Sequence, residues 1–198
     1  MIIKLSPVRS DETLAVSRQG DTLIVNGISL DFGPLPDGAT LPASAIAVPC
    51  LIDPIERTAG KLIVSLRLPH AADAPESARF PVDIVDPSDG PVELPGLDLA
   101  ATHPSSTGVI DWTKLITADQ KAQAAAEQML ALVQGETSQR RSVADAAIAP
   151  LQDAVDLDEA TEAEAALLKE WKRYRIALNR LPDQAGYPAT IDWPAPPA

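Results

Sequence analysis

Cysteine is almost absent: Cys50 is the one thiol in 198 residues, so the chain can close no disulfide within itself and offers no cysteine-based zinc site. Cys50 stands in the apolar run 45–52, where a buried, inert thiol is expected. Aromatics make up only 4%, and 16 Lys and Arg are outnumbered by 28 Asp and Glu. The resulting net charge of −12 argues against nucleic acid as the main ligand, because phosphate backbones need a concentrated basic surface. No window approaches the ~20 apolar residues of a membrane span. Residues 1–7 lack the long apolar core of a secretory signal. The expectation is a protein folded and used in the cytoplasm, with no membrane contact.

What is present is proline, at 19 residues, and small aliphatics, which must carry most of the packing. The pattern divides the chain into a strand-rich half and a helix-rich half. Runs 13–17 and 22–26 flank Gln19-Gly20-Asp21, a tight-turn signal, and read as a hairpin. A second hairpin runs from residues 51–57 through Ala59-Gly60 into residues 61–68. There Leu62, Val64, Leu66 and Leu68 share one face and Lys61, Ser65 and Arg67 the other, the alternation of a half-buried strand. Pro54 demotes the first arm to an edge or bulged strand. A further strand is expected at 78–85. These elements predict a small antiparallel β domain over residues 1–95, either a sandwich or an open barrel.

Residues 96–116, rich in Pro, Gly, Ser, Asp and Thr, read as a proline-rich linker. The remainder, 117–198, reads as an α-helical region with an extended tail, which makes the fold class α+β. Thr117 with Gln120 fits a capping box, and Gly135 is expected to end the helix it opens. A second helix follows over 139–155, kinked or divided at Pro150. Thr161 with Glu164 fits another capping box. In the helix it opens, Leu167, Trp171, Tyr174, Leu178 and Leu181 form an apolar stripe, and Pro182 ends it. Residues 145–164 carry seven acids and no Lys or Arg, while 169–180 carry five bases and one acid. The two blocks suit a folded-back pair of helices or a partner-binding surface.

Signals for chemistry fail on inspection. His70 and His103 lie in proline-rich loops without Cys or carboxylate at ligand spacing, so no metal is expected. Ser105 and Ser106 lack a nucleophile elbow, and Asp31-Phe32-Gly33 stands without the other kinase motifs. No phosphate-cradling or dinucleotide-binding glycine loop occurs. Acids at 156–159 lack the ordered spacing of a calcium loop. No catalytic residue and no cofactor is expected.

The order Ala147-Ile148-Ala149-Pro150-Leu151-Gln152-Asp153-Ala154-Val155-Asp156-Leu157, then Ala160-Thr161-Glu162-Ala163-Glu164, Trp171-Lys172-Arg173-Tyr174-Arg175, Ala177-Leu178-Asn179-Arg180 and Ile191-Asp192-Trp193-Pro194, resembles the C-terminal region of bacteriophage tail fibre assembly proteins. The resemblance implies a non-catalytic chaperone that binds a fibre protein and aids its folding or trimerisation in the host cytoplasm, with the β half binding the fibre, the helical half serving for docking or dimerisation, and self-association as a further partner contact. Its alternative is a structural tail, fibre or baseplate component retained in the virion tail. A hydrolase of surface polysaccharide is a distant third, since it needs a carboxylate pair in a cleft. Partner contact is expected at Trp171, Tyr174, Arg175, Leu178, Trp193 and Pro194, residue types that often anchor interfaces. Of these, Trp171, Tyr174 and Leu178 are expected to serve the core. Trp193-Pro194, in an extended tail without a core around it, is the better contact.

Overall fold

Alternation in residues 61–68 becomes a ten-residue strand in the computed structural model, which describes residues 1–98 and 103–197. In chain order the strands are β1 (Ile2–Arg9), β2 (Val16–Gln19), β3 (Thr22–Val25), β4 (Ile28–Asp31), β5 (Thr40–Leu41), β6 (Ile55–Thr58), β7 (Lys61–His70), β8 (Ile84–Val85), β9 (Gly90–Pro91) and β10 (Ser106–Thr107). A single helical turn, α1 (Glu76–Arg79), lies among them, and the helices α2 (Ala118–Asp156) and α3 (Glu162–Asn179) follow. The α+β class is thus observed. The chain forms two compact units, Met1–Lys121 and Ala122–Ala198.

Both expected hairpins form. Gly20 takes φ +60° in the two-residue turn between β2 and β3. Ala59 and Gly60 both take positive φ between β6 and β7, as a type I′ turn requires. A third hairpin, β3–β4, turns on Asn26-Gly27, again with both residues at positive φ. The Asn26 side chain accepts from the Ala15 amide at 2.8 Å and donates to the Thr13 carbonyl at 3.0 Å, tying this turn to the entry of β2.

The sheets run β5-β6-β7-β1-β8 and β10-β4-β3-β2-β9, and each is mixed rather than purely antiparallel. β1 lies parallel to β7 from Ile2↔Ile63 to Arg9↔His70. A parallel pair needs a long crossover, which the chain from β2 to β6 supplies. Alternation marks which face is buried but says nothing of a neighbour's direction. Inward residues of both sheets meet in one core, with Ile3, Ile55, Val64, Leu66 and Leu68 from the first and Val16, Leu23, Val25 and Leu30 from the second. Arg57 clips this unit together, its guanidinium donating to the Leu35 and Phe32 carbonyls at 2.7 and 2.9 Å and to Asp21 at 2.9 Å.

Three expectations are corrected. The strand expected at 78–85 is instead α1 followed by the two residues of β8. Pro75, at φ −60°, precedes a run of helix formers, and Ala78 rather than Phe80 is buried. The stretch expected as a linker belongs to the first unit. β10 pairs with β4, Ile110 bridges Ile46 and Ile116 bridges Thr40, while Trp112 and Leu115 pack on the core. A loop-like composition does not prevent a few apolar side chains and backbone bridges from fixing a segment. Residues 99–102 of that expected linker lie outside the described residues, as does Ala198.

The third correction concerns α2, where neither Gly135 nor Pro150 ends or divides the helix. Glycine ends helices by turning left-handed, and Gly135 shows no positive φ. In place it costs only about 1 kcal/mol against alanine. Pro150 loses one amide bond, roughly 3 kcal/mol in a helix interior, and burial of Ala144 and Ile148 just before it helps hold the helix together. Both capping boxes are present. The Gln120 amide donates to Thr117 Oγ1 at 3.2 Å, and the Glu164 amide to Thr161 Oγ1 at 3.3 Å. Hydrogen bonds from Thr161 in turn lower the pKa of Glu164.

Candidate functional site

Leu178, Tyr174 and Trp171 recur at helical spacing along α3, so one face of that helix is apolar and must be covered. Within the second unit α2 covers it. Ala144 is fully buried, and its small side chain lets the two helices approach. Polar contacts fix the alignment: Arg175 meets Asp145 at 2.7 Å, and Lys172 donates to Gln152. The acidic and basic blocks therefore do lie on neighbouring helices, yet Arg175–Asp145 is the only ion pair between them among the described residues.

The core of this unit is small: Ala144, Tyr174, Leu178 and Leu181, with Trp171, Tyr187, Ile191 and Trp193 partly buried against it. The Trp171 and Tyr174 rings stand 5.8 Å apart at 82°, an edge-to-face pair. Trp171 is half-buried, short of the core position expected for it. Trp193 is not a free anchor. It packs on the cluster, and the Arg140 guanidinium carbon stands 4.5 Å from its ring centre. Arg140 Nε also holds Glu136 at 2.7 Å, and that carboxylate raises the pKa of the guanidinium.

Two hydrogen bonds explain why the tail can turn back. Gln184 donates to the Asp192 carbonyl and accepts from the Asp192 amide, each at 2.9 Å. That reciprocal pair fixes the exposed Asp192 backbone against Gln184, between Ile191 and Trp193, which pack on the cluster. Pro194 is half-buried beside Trp193. Of the six residues expected to contact a partner, Trp171, Tyr174, Leu178 and Trp193 thus share one cluster, while Arg175 serves the α2–α3 ion pair.

Sequence reasoning missed Arg140, Ala144, Tyr187 and Ile191. Ile191 had a signal, since it alternates with Trp193 and shares a face with it in an extended segment. Arg140 and Ala144 had none, because their partners lie far along the chain. Beside the cluster is a cleft of about 400 Å³ whose walls include Thr137, Arg141, Leu178, Asn179 and Tyr187.

Elsewhere, Cys50 is partly buried, and burial pushes its thiol pKa up, away from the thiolate that a nucleophile or metal ligand needs. Among the described residues no group of His, Cys, Asp or Glu is arranged to hold a metal ion. No described helix is long and apolar enough to cross a membrane.

Comparison with known proteins bears on the same region. A segment of 74 residues is 45% identical to the tail fiber assembly protein of Escherichia phage lambda, covering 36% of this chain and 37% of that protein. Over 55 residues the chain is 56% identical to protein TfaD of Escherichia coli K12, 28% of each chain. Over 84 residues it is 34% identical to tail fiber assembly protein U of Escherichia phage Mu, 42% of this chain and 41% of that one. These matches span well under half the length of each relative. No solved structure matches. The family model described as "Caudovirales tail fibre assembly protein, lambda gpK" matches residues 80–198, more than half of the sequence and the whole of the aromatic cluster, and the chain therefore belongs to the Caudovirales tail fibre assembly protein family.

Proposed function

We propose that this protein is a non-catalytic assembly factor that binds a phage tail fibre protein in the host cytoplasm and assists its folding or trimerisation. The family match over residues 80–198 carries the reading. The relatives from Escherichia phages lambda and Mu are named as tail fiber assembly proteins. Fibre chains rich in β-structure expose unpaired strand edges while they assemble, and such edges associate wrongly unless they are covered. A partner that covers them acts by binding alone, with neither cofactor nor metal.

Within the helical unit the contact is proposed at the half-buried rim of the cluster: Trp171, Trp193 and Pro194, with Arg175 at its edge. Side chains that are amphipathic and only partly covered can gain further burial on binding. Tyr174 and Leu178 support that rim from beneath.

Co-expression with the fibre protein of the same phage tests the proposal. Soluble trimeric fibre should form with this protein and fail to form, or aggregate, without it. Equal yields of trimer in both cultures would sink the reading. Mass spectrometry of purified virions separates a factor that leaves, found at trace level, from a tail component present in stoichiometric copies.

A further inference from the structure

We propose that the groove between α2 and α3 binds an extended acidic peptide, taking a carboxylate and an apolar side chain that stand two residues apart. The cleft of about 400 Å³ beside the aromatic cluster does not stand alone. It shares Ser138, Arg141 and Asn179 with a second cleft of about 670 Å³, so the two are parts of one groove. On α2 the wall is Gln134, Ser138, Arg141, Ser142 and Asp145, which recur at helical spacing along one face. The ends of the groove differ in chemistry. One is floored by Leu178 and Leu181, with Thr137 and Tyr187 beside them. The other offers Arg141, Ser142, Arg175 and Asn179.

Contacts within the unit leave the polar end partly unused. Asp145 lines it and pairs with Arg175 at 2.7 Å. Arg141 forms no ion pair among the described residues. The side chains of Ser142 and Asn179 make no hydrogen bond there, whereas Ser138 donates to the Gln134 carbonyl of its own helix at 2.8 Å. Arg141 and Arg175 against Asp145 leave one guanidinium in excess, in a chain whose net charge is −12. A guanidinium flanked by a hydroxyl and an amide is a donor set that a carboxylate fills, with the planar fork taking both oxygens. A nucleic acid would gain that single positive charge and meet the acidity of the rest of the chain, so a lone carboxylate is the better match.

Spacing sets the form of the occupant. From Gln134 to Asp145 the groove runs roughly 16 Å at 1.5 Å per helical residue, the length of about five residues of extended chain. Thr137 at the apolar end and Arg141 at the basic end are about 6 Å apart by the same rise. Side chains on one face of an extended peptide recur every second residue, about 6.6 Å apart. An acid and an apolar residue at i and i+2 therefore reach both ends together, while adjacent ones point to opposite sides. The proposal goes beyond the assembly reading and does not rest on it.

Titration of the full chain with short peptides, followed by the NMR signal of the Asn179 side-chain amide, tests it. The probes are acetyl-Ala-Glu-Ala-Phe-Ala-amide and the reverse order, acetyl-Ala-Phe-Ala-Glu-Ala-amide. One of the two should shift that signal to saturation. Peptides with Gln in place of Glu, or with Glu and Phe adjacent, should bind about tenfold more weakly or worse, the scale of one charge-assisted hydrogen bond. Arg141→Glu should abolish binding with unchanged circular dichroism, because its side chain is exposed. Asp145→Asn should act in the opposite sense: it frees Arg175 for the ligand and tightens binding several-fold, a gain that a purely structural role for Asp145 does not produce. The inference is overturned if neither order moves the Asn179 signal, if the Gln peptides bind as the Glu peptides do, or if Arg141→Glu binds like the wild type. Inorganic phosphate that saturates the same signal as tightly as the peptides would equally overturn it, since the apolar end would then have no part.

Discussion

The guanidinium of Arg140 on α2 stands 4.5 Å from the ring centre of Trp193, 53 positions later in the sequence. This contact joins the C-terminal tail to the helix pair and turns an apparently free anchor into part of the second unit. Arg140 is oriented for it by Glu136, one helical turn earlier, at 2.7 Å.

A double-mutant cycle of Arg140→Ala and Trp193→Ala measures the contact. Cation–π pairs at partly exposed sites are worth about 0.5–1 kcal/mol, and a coupling of that size is expected from urea unfolding. A coupling near zero would show that the tail is held by apolar packing and the Gln184–Asp192 hydrogen bonds alone.

Leu178 and Trp171 should separate cleanly by their burial. Leu178 is 1% exposed, so Leu178→Ala removes buried methyl groups at a cost of about 2–5 kcal/mol. Trp171 is half-buried, and Trp171→Ala should fall below the ~3–5 kcal/mol typical of a fully buried tryptophan. Thermal melts followed by circular dichroism, which report mainly helix, decide the order. If Trp171→Ala proves the more damaging, the aromatic pair rather than the α2–α3 contact is the centre of this unit.

Acid should weaken the first unit through Asp86. Its carboxylate accepts from Lys61 Nζ at 2.7 Å and from the Met1 ammonium at 2.8 Å. The Lys61 hydrogen bond first, and then that of the N-terminus, lower its pKa from 3.8 to about 2. The folded form thus holds the ionised group more strongly than the unfolded form does. The stabilisation is fully present above about pH 4 and is lost as pH falls toward 2. In unfolding series against pH, the gap between the wild type and Asp86→Asn should stay constant above that window and close within it. A gap that persists at the acid end would show that the side chain acts through something other than its charge.

Much of the architecture is legible along the chain because its causes are local. Leu62, Val64, Leu66 and Leu68 alternate since a strand repeats every two residues, and all four are buried. Thr117 and Thr161 cap helices through hydrogen bonds that close within three residues. The Asn26-Gly27 turn is equally local, since both residues take the positive φ that Asn and Gly tolerate best, and it closes a third hairpin directly after the run 22–26. Gly135 and Pro150 misled for a different reason: each disfavours helix by a few kcal/mol at most, and helix formers around them, with Ala144 and Ile148 packed nearby, outweigh that.

By itself the sequence determined the α+β class, the buried face of β7, the two capped helix starts and the motif order from Ala147 to Pro194 that marks the family. All of these rest on periodicities and contacts within a few residues. Only the tertiary structure decided that β1 runs parallel to β7, that residues 103–117 close the first unit, and that Trp193 lies beneath Arg140 instead of standing free. Those outcomes depend on which distant segments meet, and the free energy that selects them comes from burial and hydrogen bonding between residues whose separation in sequence carries no trace of the pairing.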